Sequence, residues 1–291
     1  MIEVRPLTAA IGAEVGGVDL RAELPDADRD LIREALWRYL VLFFRGQDLT
    51  EDEQLAFAGR FGPPVSAGVD PSATEPLLFV TLEDTAADPP KADRWHTDVP
   101  FVAEPPDIAV LSMRAAPAVG GDTLWATLYG AYDRLSPTMQ ELAGRLELDL
   151  DLGTSRELVR QMYDEDHFRR VVEPAAVARH PLVRVHPETG RRALYLCGEF
   201  MRGIAGMRGD ESDALLGYLR SLLDDPNLQC RWRWEDHDMA MWDERCTNHR
   251  AVSDHYPQYR KVRRCLVGRG APVGPPAAAG APVGPLTGAA G

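Results

Sequence analysis

Short runs of β-branched, aromatic and aliphatic residues recur along the chain without settling into a strand–helix alternation. "VLFFRGQ", "PLLFVTL", "DIAVLSMRA", "PLVRVHP", "RALYLCG", "QCRWRWE", "MAMWDE" and "VRRCLVG" all read as strands. "VRPLTAAIGAEVGGVDL" reads as two short strands around a glycine turn, and "HPETGRRALYL" as a hairpin. Helical spacing of Leu31, Ile32, Ala35, Leu36 and Leu40 predicts a helix over "LPDADRDLIREALWRYL", opening near Asp26 or Asp28. "TEDEQLAFAGRFG" opens on a capping box, Thr50 with Glu53, and is expected to end at Gly62. "DESDALLGYLRSLLDD" is an amphipathic helix, and residues 154–170 are expected to be helical. Helices inserted irregularly among many strands exclude a doubly wound parallel sheet. They predict a mainly β fold with surrounding helices.

Residues 1–269 contain no linker and no fixed-period repeat, so one domain is expected there. The remainder, residues 270–291, is almost wholly Gly, Pro and Ala. Such a segment buries too little side chain to offset its ordering entropy, and a disordered tail is expected. The net charge of −13 argues against a nucleic-acid or anionic-membrane partner. No apolar run is long enough to span a bilayer and no secretory signal opens the chain, so a cytoplasmic protein is expected. The four cysteines form no C-x-x-C pair and are read as reduced thiols.

The chemistry concentrates in "RWHTDVPF", residues 94–101. In an extended segment His96 and Asp98 point to one face and can meet one ion. Two imidazoles and a carboxylate on one face of an octahedron hold non-haem Fe(II) with positions left open for reactants. The third ligand must come from His167, His180, His186, His237, His249 or His255. His249 follows a strand-like run, whereas His186 and His237 better fit a surface or hydrogen-bonded role. Downstream, Arg260, Val262 and Arg264 share one face of an extended segment, and a guanidinium there can grip a carboxylate bidentately. Lys261 and Arg263 on the other face read as solvated.

Several stretches together carry a resemblance: "GAEVGGVDL", "VLFFRGQDLTEDEQLAFAGRFG", "WHTDVPF", "GGDTLWATLYGAYDRLSP", "HPLVRVHPETGRRALYL" and "WRWEDHDMAMWDERCTNHRAVSDHYPQYRKVRR". Through them the chain resembles the TauD/TfdA, taurine dioxygenase-like family of Fe(II)- and 2-oxoglutarate-dependent dioxygenases. The resemblance implies a double-stranded β-helix (jelly-roll) core. It implies Fe(II) held by His96, Asp98 and His249, with 2-oxoglutarate as cosubstrate alongside O2. It assigns Thr123 and Arg260 to the distal carboxylate of 2-oxoglutarate, and Arg264 to the cosubstrate or to a substrate anion. Asp98 favours hydroxylation, because related halogenases lack that carboxylate. The implied partner is a small organic anion: a sulfonate, sulfate ester, phenoxyalkanoate or other carboxylate. Desaturation or cyclisation at the same iron, and a non-catalytic binding member of the fold, are the alternatives. A homo-oligomer, dimer or tetramer, is also implied.

Taurine itself is disfavoured. Taurine-cleaving members place a histidine ahead of the H-x-D motif and an asparagine just before it. Here no histidine precedes Trp95 and "KADRW" contains no asparagine. Val99 and Phe101 fit a pocket for an apolar substrate body, or core packing. Trp95, Trp125, Trp232, Trp234 and Trp242 are read as core.

Overall fold

The structure, a computed structural model, describes residues 1–276. Its largest sheet has eight strands. Along it run Glu3–Pro6, Ala13–Gly16, Val41–Phe44, Met239–Asp243, Pro106–Ala115, Arg260–Arg269 and Pro64–Val65, with Val80–Asp84 also paired to Arg260–Arg269. Facing it is a three-stranded sheet in the order Gln229–Trp232, Thr123–Thr127, Thr247–Ala251. A hairpin, Val183–Val185 with Arg192–Leu194, and a three-stranded sheet of Met201–Ile204, Glu147–Leu150 and Ala178–Pro181 extend this side. This is the jelly-roll arrangement of two packed sheets that the resemblance implied.

The central strands of the large sheet are buried on both faces, which explains the unbroken apolar run of Val41–Phe44. Val41, Phe43, Ala240 and Trp242 point into the sandwich. There Phe43 stacks on Trp232 at 4.2 Å and meets Trp125 edge-on at 5.1 Å, joining the two sheets. Leu42, Phe44, Met239 and Met241 point the other way, against Ile32 and Leu36 of helix Asp26–Tyr39 and Phe57 of helix Glu51–Gly59. The capping box forms as the sequence predicts, Thr50 Oγ1 accepting from Glu53 N and a Glu53 carboxylate oxygen from Thr50 N.

Some boundaries differ from the sequence reading. The second helix ends at Gly59, with Arg60 rather than Gly62 closing it. Residues 154–170 form separate pieces, Arg156–Arg160, Glu165–His167 and a π turn at Phe168–Val172. Arg263 is buried, not solvated. It donates from Nε to Gln54 Oε1 at 2.9 Å and from Nη2 to Leu49 O at 2.8 Å, because helix Glu51–Gly59 covers that face of the sheet. Residues 270–276 carry no helix or strand, although Val273 O accepts from Val185 N at 2.8 Å. The rest of the expected tail lies outside the described residues.

Candidate metal centre and cosubstrate pocket

Strand pairing brings the triad together. His96 sits on an isolated antiparallel bridge with His249, each donating N–H to the other's carbonyl at 3.0 Å. Their rings face inward with centroids 4.2 Å apart. The Nε2 atoms of both imidazoles lie 3.9 Å from Asp98 Oδ1. His96 Nδ1 lies 2.7 Å from Arg94 O, so that nitrogen carries the proton and Nε2 keeps a free lone pair. Gly198 makes the approach possible: with φ +65°, a Cβ there would stand 1.9 Å from Trp95 O.

Electrostatics keep the ligands in binding form. Burial alone would raise the Asp98 pKa, but the Arg264 guanidinium beside it outweighs burial and holds Asp98 below the usual carboxylate range. Arg264 Nη1 donates directly to Asp98 Oδ1. Burial and the neighbouring His96 push His249 well below its ordinary value, which leaves it neutral. Burial and the adjacent Asp98 push Glu244 well above the carboxylate range. Asp98 Oδ2 and His249 Nδ1 have no hydrogen-bond partner among the described residues. A buried carboxylate oxygen without a partner, beside two imidazole Nε2 lone pairs, fits a divalent cation of the Fe(II) type, while His249 Nδ1 then carries the proton as a donor.

A second polar group gathers around Arg260. Arg260, 5% exposed, donates from Nε to Gly121 O at 3.2 Å, and its Nη1 stands 3.5 Å from Asp84 Oδ2. Gly121 adopts φ +71°, and a Cβ would meet Pro117 Cγ at 2.6 Å and Arg260 Cδ at 3.3 Å. Thr123, two residues on, accepts at Oγ1 from Trp234 Nε1 at 2.9 Å. Its hydroxyl hydrogen is thereby left to donate elsewhere. Arg264, four residues after Arg260 on the same strand, bonds Asp98.

Each residue singled out in the sequence has a place here. Val99 is half-buried with φ +49°, and Phe101 is buried edge-on to Phe200 at 5.1 Å. The remaining histidines stand elsewhere. His167 meets Asp70 at 2.7 Å, His180 meets Val102 O at 2.9 Å, and His237 meets Asp48 at 3.0 Å. His255 is buried 3.2 Å from Asp84. His186 is buried and hydrogen-bonded, accepting at Nδ1 from Glu188 N and Thr189 N and donating from Nε2 to Asp243 Oδ2 at 2.9 Å. With Asp243 and Cys246 it forms a second His/Cys/Asp cluster. Arg245 grips both Asp243 oxygens at 2.8 and 2.6 Å, so that cluster is a buried ion-pair network with its ligand atoms spent. The thiols are buried, and burial pushes Cys230 and Cys265 up to about 12. A cavity of about 520 Å³ lies behind the triad, lined by Trp95, Asn248 and Arg250, which alternate with the inward-facing imidazoles.

Sequence reasoning missed Glu244, Asp84 and the indole N–H groups of Trp234 and Trp242. Trp234 donates to Thr123, and Trp242 donates to Glu244 Oε1 at 2.6 Å. The one available signal was a pair of acids, Asp243 and Glu244, directly after the apolar strand-like run "MAMW".

Comparison with known proteins fits this geometry. The family model described as "Taurine catabolism dioxygenase TauD, TfdA family" matches residues 3–266. An α-ketoglutarate-dependent sulfate ester dioxygenase of Pseudomonas putida is 37% identical, over 94% of this chain and 91% of its own length. An alkylsulfatase of Acinetobacter baylyi is 36% identical, over 90% and 84%. The crystal structure of a taurine dioxygenase from Burkholderia xenovorans superposes with TM-score 0.79 at 34% identity, covering 94% of this chain and 93% of that one. The chain belongs to the TauD/TfdA family of 2-oxoglutarate-dependent, non-haem iron dioxygenases.

Proposed function

We propose that this protein uses Fe(II), 2-oxoglutarate and O2 to hydroxylate a small organic anion, with a sulfate ester of apolar body as the favoured substrate class. The carrying observation is the convergence of His96, Asp98 and His249, with Arg264 bonded to the ligand carboxylate. The balanced reaction is R–H + 2-oxoglutarate + O2 → R–OH + succinate + CO2. A hydroxylated carbon that bears a sulfate ester collapses to a carbonyl compound and sulfate.

His96, Asp98 and His249 hold the metal, which when bound supplies O2 activation coupled to decarboxylation. Arg260 neutralises the distal carboxylate of 2-oxoglutarate, and Thr123 donates its free hydroxyl hydrogen to it. Arg264 is poised to leave Asp98 for an incoming anion. Val99 and Phe101, close to Asp98 in the chain, are the candidate apolar contacts for the substrate body. The relatives acting on sulfate esters support that substrate class. Among the described residues no helix is long and apolar enough to cross a membrane. A cytoplasmic homo-oligomer, dimer or tetramer, completes the proposal, and light scattering of the purified protein tests the assembly.

The test is anaerobic titration with Fe(II) and then 2-oxoglutarate, followed by visible absorption. A weak band that needs both additions, and is absent in His96→Ala, is expected. The same sample, screened with alkyl sulfates, sulfonates and phenoxy acids, should shift that band most with its substrate class. Failure of any band to form would refute the proposal.

A further inference from the structure

We propose that Glu244 is a positioning residue for the metal site, pinning the backbone at Asp98 so that its carboxylate meets the two imidazoles. Glu244 is fully buried, just past strand Met239–Asp243. Its Oε2 accepts the backbone N–H of Asp98 at 3.1 Å, and its Oε1 accepts Trp242 Nε1 at 2.6 Å. Its own N–H donates to Asp107 O at 2.9 Å, anchoring the turn it sits on to the large sheet.

The pinned segment needs holding. Val99 adopts φ +49°, a conformation that β-branched residues rarely take. Such strain persists only where the surroundings over-determine it. The His96–His249 bridge fixes the segment on one side, and Phe101 against Phe200 fixes it on the other. Between them the Asp98 N–H is held by Glu244. A carboxyl suits this place because each of its two oxygens meets one N–H donor. An amide has one oxygen, so its NH2 would face a donor. The inference rests on the triad reading.

The test uses Co(II) as probe with the purified full chain. Glu244→Gln should weaken Co(II) binding about tenfold and Glu244→Ala by up to about a hundredfold, as losses of outer partners of ligands do. The visible Co(II) absorption should change shape as Asp98 leaves its orientation. A purely packing role would lower the melting temperature and leave Co(II) affinity and spectrum unchanged, and that result would overturn the inference. If Glu244→Ala does not fold, the near-isosteric Glu244→Gln decides alone. His96→Ala separates the two readings: Co(II) binding that survives it refutes the triad itself, whatever Glu244 does.

Discussion

Trp234→Phe removes the indole N–H that Thr123 accepts, along with part of a buried ring. The indole is 4% exposed, and its Nε1 donates to Thr123 Oγ1 at 2.9 Å in the interior of the small sheet. That bond fixes the hydroxyl rotor so that its hydrogen points away from the indole. A buried hydrogen bond of this kind contributes about 0.5–1.5 kcal/mol net. If the contribution is felt only when Thr123 must donate to the distal carboxylate, 2-oxoglutarate affinity falls about 2- to 13-fold. Fe(II) affinity should stay put, because no ligand moves. The assay is anaerobic titration of the Fe(II) protein with 2-oxoglutarate, read by the visible band and by calorimetry. A double-mutant cycle sharpens it: in a Thr123→Ala background Trp234→Phe should have no further effect. Equal losses in both backgrounds, or none in either, would show that the indole does not act through Thr123.

Three further outcomes follow from the same geometry. Arg264→Ala should raise the KM for the organic anion more than the KM for 2-oxoglutarate while Fe(II) loading stays intact. Lost loading would show instead that Arg264 serves Asp98 as a structural partner. Gly121→Ala forces a side chain into φ +71° beside Arg260, so it should cost more than about 1 kcal/mol of stability by denaturant unfolding and weaken 2-oxoglutarate binding. Asp243→Asn leaves the buried Arg245 without its carboxylate and should cost about 3–5 kcal/mol. Burial would raise Asp243, but Arg245 and His186 outweigh it, and its folded pKa lies well below its ordinary 3.8. The wild-type contribution is therefore complete above about pH 4 and fades as pH falls towards the folded value. Acid unfolding curves of the two proteins should converge on that limb.

Much of the architecture could be read from local pattern. The runs at Val41–Phe44, Pro106–Ala115, Met239–Asp243 and Arg260–Arg269 are strands because β-branched and aromatic residues cluster there, and the Thr50 capping box forms as its spacing requires. The boundary after Gly59 and the break within 154–170 were not legible, because helix ends depend on what packs beside them. Arg263 shows the same limit: period alone places it opposite Arg264, and only the covering helix makes that face dry.

The sequence by itself determined the ligand chemistry. An H-x-D pair, a downstream histidine and paired arginines at strand spacing were visible as candidates, although Asp98 itself lies in a bend rather than a strand. Tertiary structure placed His249, of the candidate histidines, beside His96 and Asp98, since it is bridged to His96 across strands while His186 and His255 meet other carboxylates. It also decided what holds the site in shape. Glu244, Asp84 and the indole N–H of Trp234 act on Asp98, Arg260 and Thr123 across separations of more than a hundred residues in the chain. No local pattern encodes such contacts, because hydrogen bonds between distant segments exist only once the two sheets have packed.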